Sequence, residues 1–319
     1  MKPIFNISAL LFIIILASCS KEPAITNGLL DGDVIFDPSI NNPEGYYISA
    51  KYPNPTQADL DKHIIIAIHG YTATTFEWQE FVDWTDDTYG DTGTYRVSQI
   101  LMGAHGRTYE AFKASKWQDW AESAKVEYQK LVDLGYTKIS LVGSSTGATV
   151  CLEMMHSGFF NSTVAPQNIF IVDGIIVSSN KTQSIANIVG PMLVYVEADQ
   201  PAEQDSFWYR FRPQETVREL NKMMKEGRKE LENGVTAPSG TRVKVFHSVN
   251  DPTASSASAV LLYKGLQHSD GSTIDVEMME SDIHVFTRLA LRKYEGLSVT
   301  QKNIDNQLSA FQQMAEQLN

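Results

Sequence analysis

Apolar, strand-like runs alternate with amphipathic helical stretches along this 319-residue chain. That alternation predicts an α/β fold on a mainly parallel, doubly wound sheet flanked by helices. Two further observations support it. The run His63–Ile68 (HIIIAI) is almost continuously β-branched, as expected of a strand covered on both faces. A hydrophobic fraction of 43% supplies enough apolar side chain for one sizeable core. Neither an internal repeat nor a mark of an independent second domain is present, so residues 46–319 are expected to form one domain.

Taken in order, the chain opens with Lys2 and then ISALLFIIILA, an apolar run of about eleven residues that is too short to span a bilayer. Leu16-Ala17-Ser18-Cys19 follows, and small residues ahead of a cleavage point mark an export signal. The cysteine directly after them is similar to that of a bacterial lipoprotein signal. That resemblance implies removal of residues 1–18 and lipidation of Cys19, which would anchor the protein in the bacterial cell envelope without a spanning helix. Each buried acyl CH₂ contributes about 0.8 kcal/mol to such an anchor. Under the same resemblance, Ser20 in place of an aspartate points to the outer membrane. Residues 19–45, rich in Asn, Asp, Gly and Pro, read as a tether.

After the HIIIAI strand and the segment HGYTATTFEW comes a helical stretch with Trp117, Trp120, Ala124, Tyr128 and Leu131 at spacings of three and four; Gly135 stops it. The strand KISLV and a helix over Thr146–His156 follow. GIIVSS (174–179), VKVFHS (243–248) and IDVEMME (274–280) read as later strands. Residues 180–212 break the rhythm and read as a small cap insertion over one end of the sheet. Their aromatic cluster, Phe207, Trp208, Tyr209 and Phe211, suits either a substrate pocket or the cap's own core. The next helix carries Val217, Leu220, Met224 and Leu231 on one stripe.

A net charge of −12 with no basic run excludes a phosphate-neutralising face, so no nucleic-acid partner is expected. Cys pairs, HExxH and acidic ladders are absent from the sequence, which calls for neither a metal nor another cofactor. Beyond Cys19 the one thiol is Cys151, expected to be a buried small apolar residue. No obligate protein partner is evident.

The segment KISLVGSSTGATV places Ser145 between Gly143 and Gly147, after a strand and before a helix. This is the pattern of a nucleophile elbow, weakly specific alone and strengthened by its strand–turn–helix setting. Serine needs a base, normally a histidine held by a carboxylate. Asp251 follows the strand VKVFHS and His284 follows the last strand, where sites in open α/β sheets lie. Glu280 and Asp282 are rivals for the acid, although Asp282 is too close in sequence to reach the far ring nitrogen readily. His63, His156 and His247 suit core or surface roles, and His268, in a polar loop, is expected to be solvated. Oxyanion donors are expected from the Thr146 N–H and, in the loop after the third strand (IHGYTAT), the Tyr71 N–H. Gly70 would let that loop fold back towards the serine, and His69 would brace it.

IIIAIHGYT, the stretch from LMGAHGRTYEAF to KISLVGSSTG, VFHSVNDPTA and SDIHVF together resemble the α/β-hydrolase superfamily, in particular its monoacylglycerol-lipase and carboxylesterase branch. The resemblance runs from about Ile64 to the C-terminal helix. It implies the α/β-hydrolase fold with a small cap, Ser145 as nucleophile, His284 as general base, Asp251 as its partner, and backbone donors at Tyr71 and Thr146. The expected activity is hydrolysis of a small-molecule ester or acyl substrate through an acyl-enzyme. An amidase, aminopeptidase or thioesterase on the same triad, and a catalytically silent lipoprotein binding an acyl or glycan ligand, are the alternatives. Two departures lie near the acyl pocket: Thr146-Gly147-Ala148 after the serine, and an inserted alanine in Gly103-Ala104-His105-Gly106.

Overall fold

The computed structural model describes residues 22–26, 28–31, 46–90, 93–179 and 194–318. The expected signal peptide and Cys19 lie outside the described residues, as does the first part of the cap, 180–193. The strands are β1 (His63–Ile68), β2 (Tyr95–Ile100), β3 (Ile139–Ser144), β4 (Asn168–Val172), β5 (Tyr195–Glu197), β6 (Phe211–Pro213), β7 (Val235–Thr236), β8 (Arg242–Ser248), β9 (Leu266–Gln267) and β10 (Asp275–Met279). Short helices α1 (Ile48–Lys51) and α2 (Gln57–Leu60) precede α3 (Gln79–Tyr89), α4 (Tyr109–Ala114), α5 (Trp117–Asp133) and α6 (Thr146–His156). Then come α7 (Gln214–Asn233), α8 (Ala257–Gly265) and α9 (Gln301–Glu316).

The predicted α/β architecture is present. Six strands form one sheet in the order β10-β8-β4-β3-β1-β2, and every pair in it is parallel. Alternate residues of β1 feed opposite faces: Ile64, Ile66 and Ile68 join one apolar cluster, Ile65 and Ala67 the other. The first cluster contains Trp120 and Tyr128 of α5, Val150 of α6 and Leu220 of α7; the second contains Phe81 of α3 and Phe311 of α9. Both faces are therefore covered, which is why β1 needs no polar alternation. The chain passes from β1 to β2 on the α3 side and from β2 to β3 on the α5 side, so the winding reverses between β1 and β3. Ligands of open α/β sheets bind at the carboxyl ends of strands flanking such a reversal.

Several expectations need correction. GIIVSS is not a sheet strand; β4 lies earlier, at NIFIV. Asp173 takes a positive φ of 46° and turns the chain out of the sheet, and Gly174 packs so closely that an added Cβ would meet Ile171 and Ala148 at 2.9 and 3.0 Å. The apolar Ile175 and Ile176 are buried in the core as loop residues. The strand β2 was not anticipated. The loop expected after a third strand follows β1, the first sheet strand among the described residues. Nor are residues 19–45 wholly a tether: Leu29 and Leu30 are buried, the Leu30 N–H donates to the Asp205 carbonyl, and Glu22 pairs with Lys113 at 2.6 Å.

The described part of the cap is an antiparallel β5–β6 pair with a short helical turn at Ala202–Gln204. Its aromatic cluster divides. Tyr209 is core: its ring stacks on Phe112 at 4.4 Å and its hydroxyl accepts from the Arg107 N–H at 2.8 Å. Phe207 stacks on Phe76 at 3.9 Å, and Phe211 meets Tyr195 edge-on. Of the four, Trp208 lines the cleft described next.

Candidate active site

A cleft of about 650 Å³ opens at the carboxyl ends of β1 and β3, under the cap. Ser145, directly after β3, sits on its floor, only 6% exposed, with φ +51° and ψ −114°. Such a backbone is costly for a non-glycine residue and persists only where its surroundings over-determine it. Here they do: the Ser145 N–H donates to the Val172 carbonyl at 3.0 Å, and its own carbonyl accepts from the Ile175 N–H at 3.2 Å. The flanking glycines have no room for a side chain. A Cβ on Gly143 would lie 2.4 Å from the Gly147 oxygen, and one on Gly147 would lie 2.2 Å from the Ile68 oxygen. Gly70 packs less tightly against the serine, where a Cβ would meet Ser145 Cβ at 3.0 Å.

The structure brings Ser145, Asp251 and His284 together from three separate loops. His284 Nε2 lies 3.0 Å from Ser145 Oγ, and its Nδ1 lies 2.7 Å from Asp251 Oδ2. The other Asp251 oxygen accepts the N–H groups of Thr253 and Ala254 at 2.7 and 2.8 Å, which fixes the carboxylate plane. Burial alone would raise the Asp251 carboxyl pKa; the neighbouring His284 and the two amides outweigh it, and the pKa is lowered. Burial would likewise lower His284, but the Asp251 carboxylate wins and raises it. The two shifts describe one ion pair seen from each side. The rivals for the acid lie elsewhere: Glu280 pairs with Lys302, and Asp282 is exposed.

The two expected oxyanion donors line the same cleft. Thr146 opens α6, so its N–H has no acceptor in the preceding turn. Tyr71 follows Gly70 in the β1 loop. His69 braces that loop: Nε2 accepts from the Met102 N–H at 3.1 Å, and Nδ1 donates to the Gly70 carbonyl at 2.8 Å. Burial lowers its pKa, which suits a neutral ring. His63 contacts Ser140, and His156 pairs with Glu230. His268 is half-buried rather than solvated, because its Nε2 accepts from the Val243 N–H. Cys151 is fully buried, its thiol pKa pushed up to about 12 by desolvation.

Three supporting residues escaped the sequence reading. Asp173, fully buried, accepts from the Ser248 N–H at 2.6 Å and the Phe286 N–H at 3.2 Å, joining the ends of β4 and β8 to the His284 loop. Burial, and then the nearby Asp251, raise its pKa. Arg292 donates to the His284 carbonyl. Between these two restraints Val285 is held at φ +53°, a strained conformation for a β-branched residue. Glu77 accepts from the Gly70 N–H at 2.7 Å and from the Ser144 hydroxyl, locking the β1 loop to β3. The turn-forming pair Asp173-Gly174 was the available sign of Asp173, and it was hidden by the apolar IIV that follows.

Asp173, Asp251 and His284 are also the group whose donor atoms, within 4.8 Å of one another, could hold a metal. Asp251 and His284 are already bonded to each other, and the Asp173 oxygens already receive N–H donors, so protein groups satisfy the trio.

The comparisons add a class to this geometry. The fold matches a structure of the metagenome-derived lipolytic enzymes LipS and LipT with a TM-score of 0.59 at 14% identity, covering 79% of this chain and 95% of that one. It matches the monoacylglycerol lipase of Paleococcus ferrophilus at 0.56 and 12% identity, over 80% and 94% of the two chains. A soluble variant of the monoglyceride lipase from Saccharomyces cerevisiae matches at 0.57 and 12%, over 83% and 88%. No protein-family model and no curated protein matches the sequence. The chain has the α/β-hydrolase fold.

Proposed function

We propose that this protein is a serine ester hydrolase, of the carboxylesterase or monoacylglycerol-lipase kind, working through an acyl-enzyme on Ser145. The reading rests chiefly on the hydrogen-bonded line from Ser145 Oγ through His284 to Asp251, with separations of 3.0 and 2.7 Å. Ser145 Oγ attacks the ester carbonyl while its proton passes to His284 Nε2. The Tyr71 and Thr146 N–H groups receive the negative charge that forms on the carbonyl oxygen. Collapse breaks the carbonyl–alkoxy bond, and the alcohol leaves with the proton from Nε2. A water then gives its proton to Nε2 and its oxygen to the acyl carbon; the acid departs and Oγ recovers its proton. Asp251 holds the imidazole with Nε2 facing the serine and stabilises it when charged. The neighbours named as lipolytic enzymes and monoacylglycerol lipases support a small-molecule ester as substrate. The lipoprotein-like leader supports an enzyme held by lipidated Cys19 in the cell envelope, at the outer membrane.

One experiment tests both parts. The full chain, expressed with its leader in a Gram-negative host, is labelled in fractionated cells with a fluorophosphonate probe. The expected band lies in the membrane fraction, maps to the Ser145 peptide, disappears in Ser145→Ala and moves to the soluble fraction in Cys19→Ala. A labelled band that persists in Ser145→Ala removes the mechanism; one that stays with the membrane in Cys19→Ala removes the anchor.

A further inference from the structure

Arginines around the cleft are treated in two ways. Arg288 and Arg292 share Glu295 at 3.2 and 2.9 Å, and Arg210 pairs with Asp205 at 2.7 Å. The side chain of Arg212, which is on β6 and lines the same cleft as Ser145 and His284, has neither a hydrogen bond nor an ion pair among the described residues. Its Nε is buried and unpartnered. The other acids of the cleft do not serve it. Glu77 is turned to Gly70 and Ser144, and Asp199 is exposed at the rim without an ion pair to Arg212. Burial lowers the Arg212 pKa, opposed only by the nearby Tyr71, which follows from a guanidinium with no acid beside it. The residue as a whole is half-buried, so its guanidinium is partly desolvated without a counter-charge among the described residues, which is unfavourable. An anion entering the cleft would offset that cost.

From this geometry we infer that Arg212 receives a carboxylate on the substrate, so that the ester taken at Ser145 carries a fixed negative charge. This rests on the ester-hydrolase reading and narrows it. The planar fork of a guanidinium matches a carboxylate with two parallel N–H···O bonds. Six of the cleft's lining residues, Glu77, Asp199, Arg212, Arg288, Arg292 and Glu295, are ionic, so its wall is more polar than a hydrocarbon chain requires. Charge on the acyl side and charge on the alcohol side would both satisfy Arg212, and the two are separable by substrate.

The test uses two matched pairs of esters. On the acyl side, mono-p-nitrophenyl glutarate is set against p-nitrophenyl pentanoate; on the alcohol side, 4-acetoxybenzoate against 4-acetoxybenzamide. Each kcat/KM is divided by the rate constant for hydroxide hydrolysis of the same ester. In one pair the charged member should be preferred by about 10- to 100-fold, the size of a charge-assisted hydrogen bond. Arg212→Gln should bring that ratio to about one, and Arg212→Lys should restore part of it, which also guards against a folding defect. A ratio at or below one in both pairs, or a preference unmoved in Arg212→Gln, overturns the inference. Calorimetric binding of glutarate and of 4-hydroxybenzoate to Ser145→Ala, with and without Arg212→Gln, reads the carboxylate site without turnover. Binding lost with Arg212 supports it; no binding of either acid overturns it. Fluorophosphonate labelling of Ser145 reports on the ester-hydrolase reading alone, so the two can fail separately.

Discussion

The carboxyl edge of the sheet and the cap above it hold their residues by different means. At the edge, the nucleophile's position is set by backbone: Ser145 is fixed at φ +51° by hydrogen bonds to Val172 and Ile175, between glycines that touch main chain. In the cap, position is set by side chains. Tyr209 reaches across to Arg107 and stacks on Phe112, Phe207 stacks on Phe76, and the described regular structure is a pair of three-residue strands. Backbone restraints tolerate almost no substitution, while a lattice of ring contacts can be repacked piece by piece. On the proposed reading, Ser145 belongs to the part that cannot vary and Arg212 to the part that can.

The largest effect should come from the edge. Asp251→Asn keeps the shape but presents the wrong hydrogen-bonding partner to His284, and kcat should fall by about 10³- to 10⁴-fold. The pH profile gives a sharper reading. Asp251 raises the His284 pKa against the effect of burial, so in the parent protein activity should be lost as pH falls through a value above the usual 6.5 or so. Without that carboxylate burial acts unopposed by its neighbour, the pKa drops, and the acid limb of the residual activity should move to lower pH. A limb that stays in place would mean that Asp251 is not the partner that sets it.

Next in size is Gly147→Ala, whose Cβ would enter the Ile68 carbonyl at 2.2 Å. Since β1 and α6 must separate to admit it, a stability loss of about 2–4 kcal/mol is expected in urea unfolding. A loss below about 0.5 kcal/mol would show that the edge is softer than its contacts imply. Smallest is the cap variant Tyr209→Phe, which keeps the stack on Phe112 and removes the hydroxyl that accepts from Arg107. About 1 kcal/mol should be lost in the same measurement. A Tyr209→Phe loss equal to that of Gly147→Ala would erase the contrast between the two regions.

The same contrast explains what could be read from the chain. β1 and α6 were legible residue by residue, because uninterrupted β-branching and a glycine-flanked serine are local signals. Asp251 and His284 were legible as strand-end positions. Asp173 was not, because its role is to join three loops distant in sequence, and the GIIV after it imitates a strand. β2 was obscured by polar residues on both faces: Arg96 and Ser98 on one take partners in Asp59 and Glu127, and Gln99 on the other takes the Thr75 carbonyl, which no periodicity announces. The isolation of Arg212 was equally invisible, since a missing counter-charge is a fact about space and not about neighbours in sequence.

The ion pair between Glu22 and Lys113 and the seating of Leu30 against Asp205 tie the N-terminal segment to the folded domain. If Cys19 carries the lipid, only Ser20 and Lys21 separate it from a residue gripped by α4, a reach of about 10 Å at full extension. An enzyme moored so closely could not tumble freely beside its bilayer.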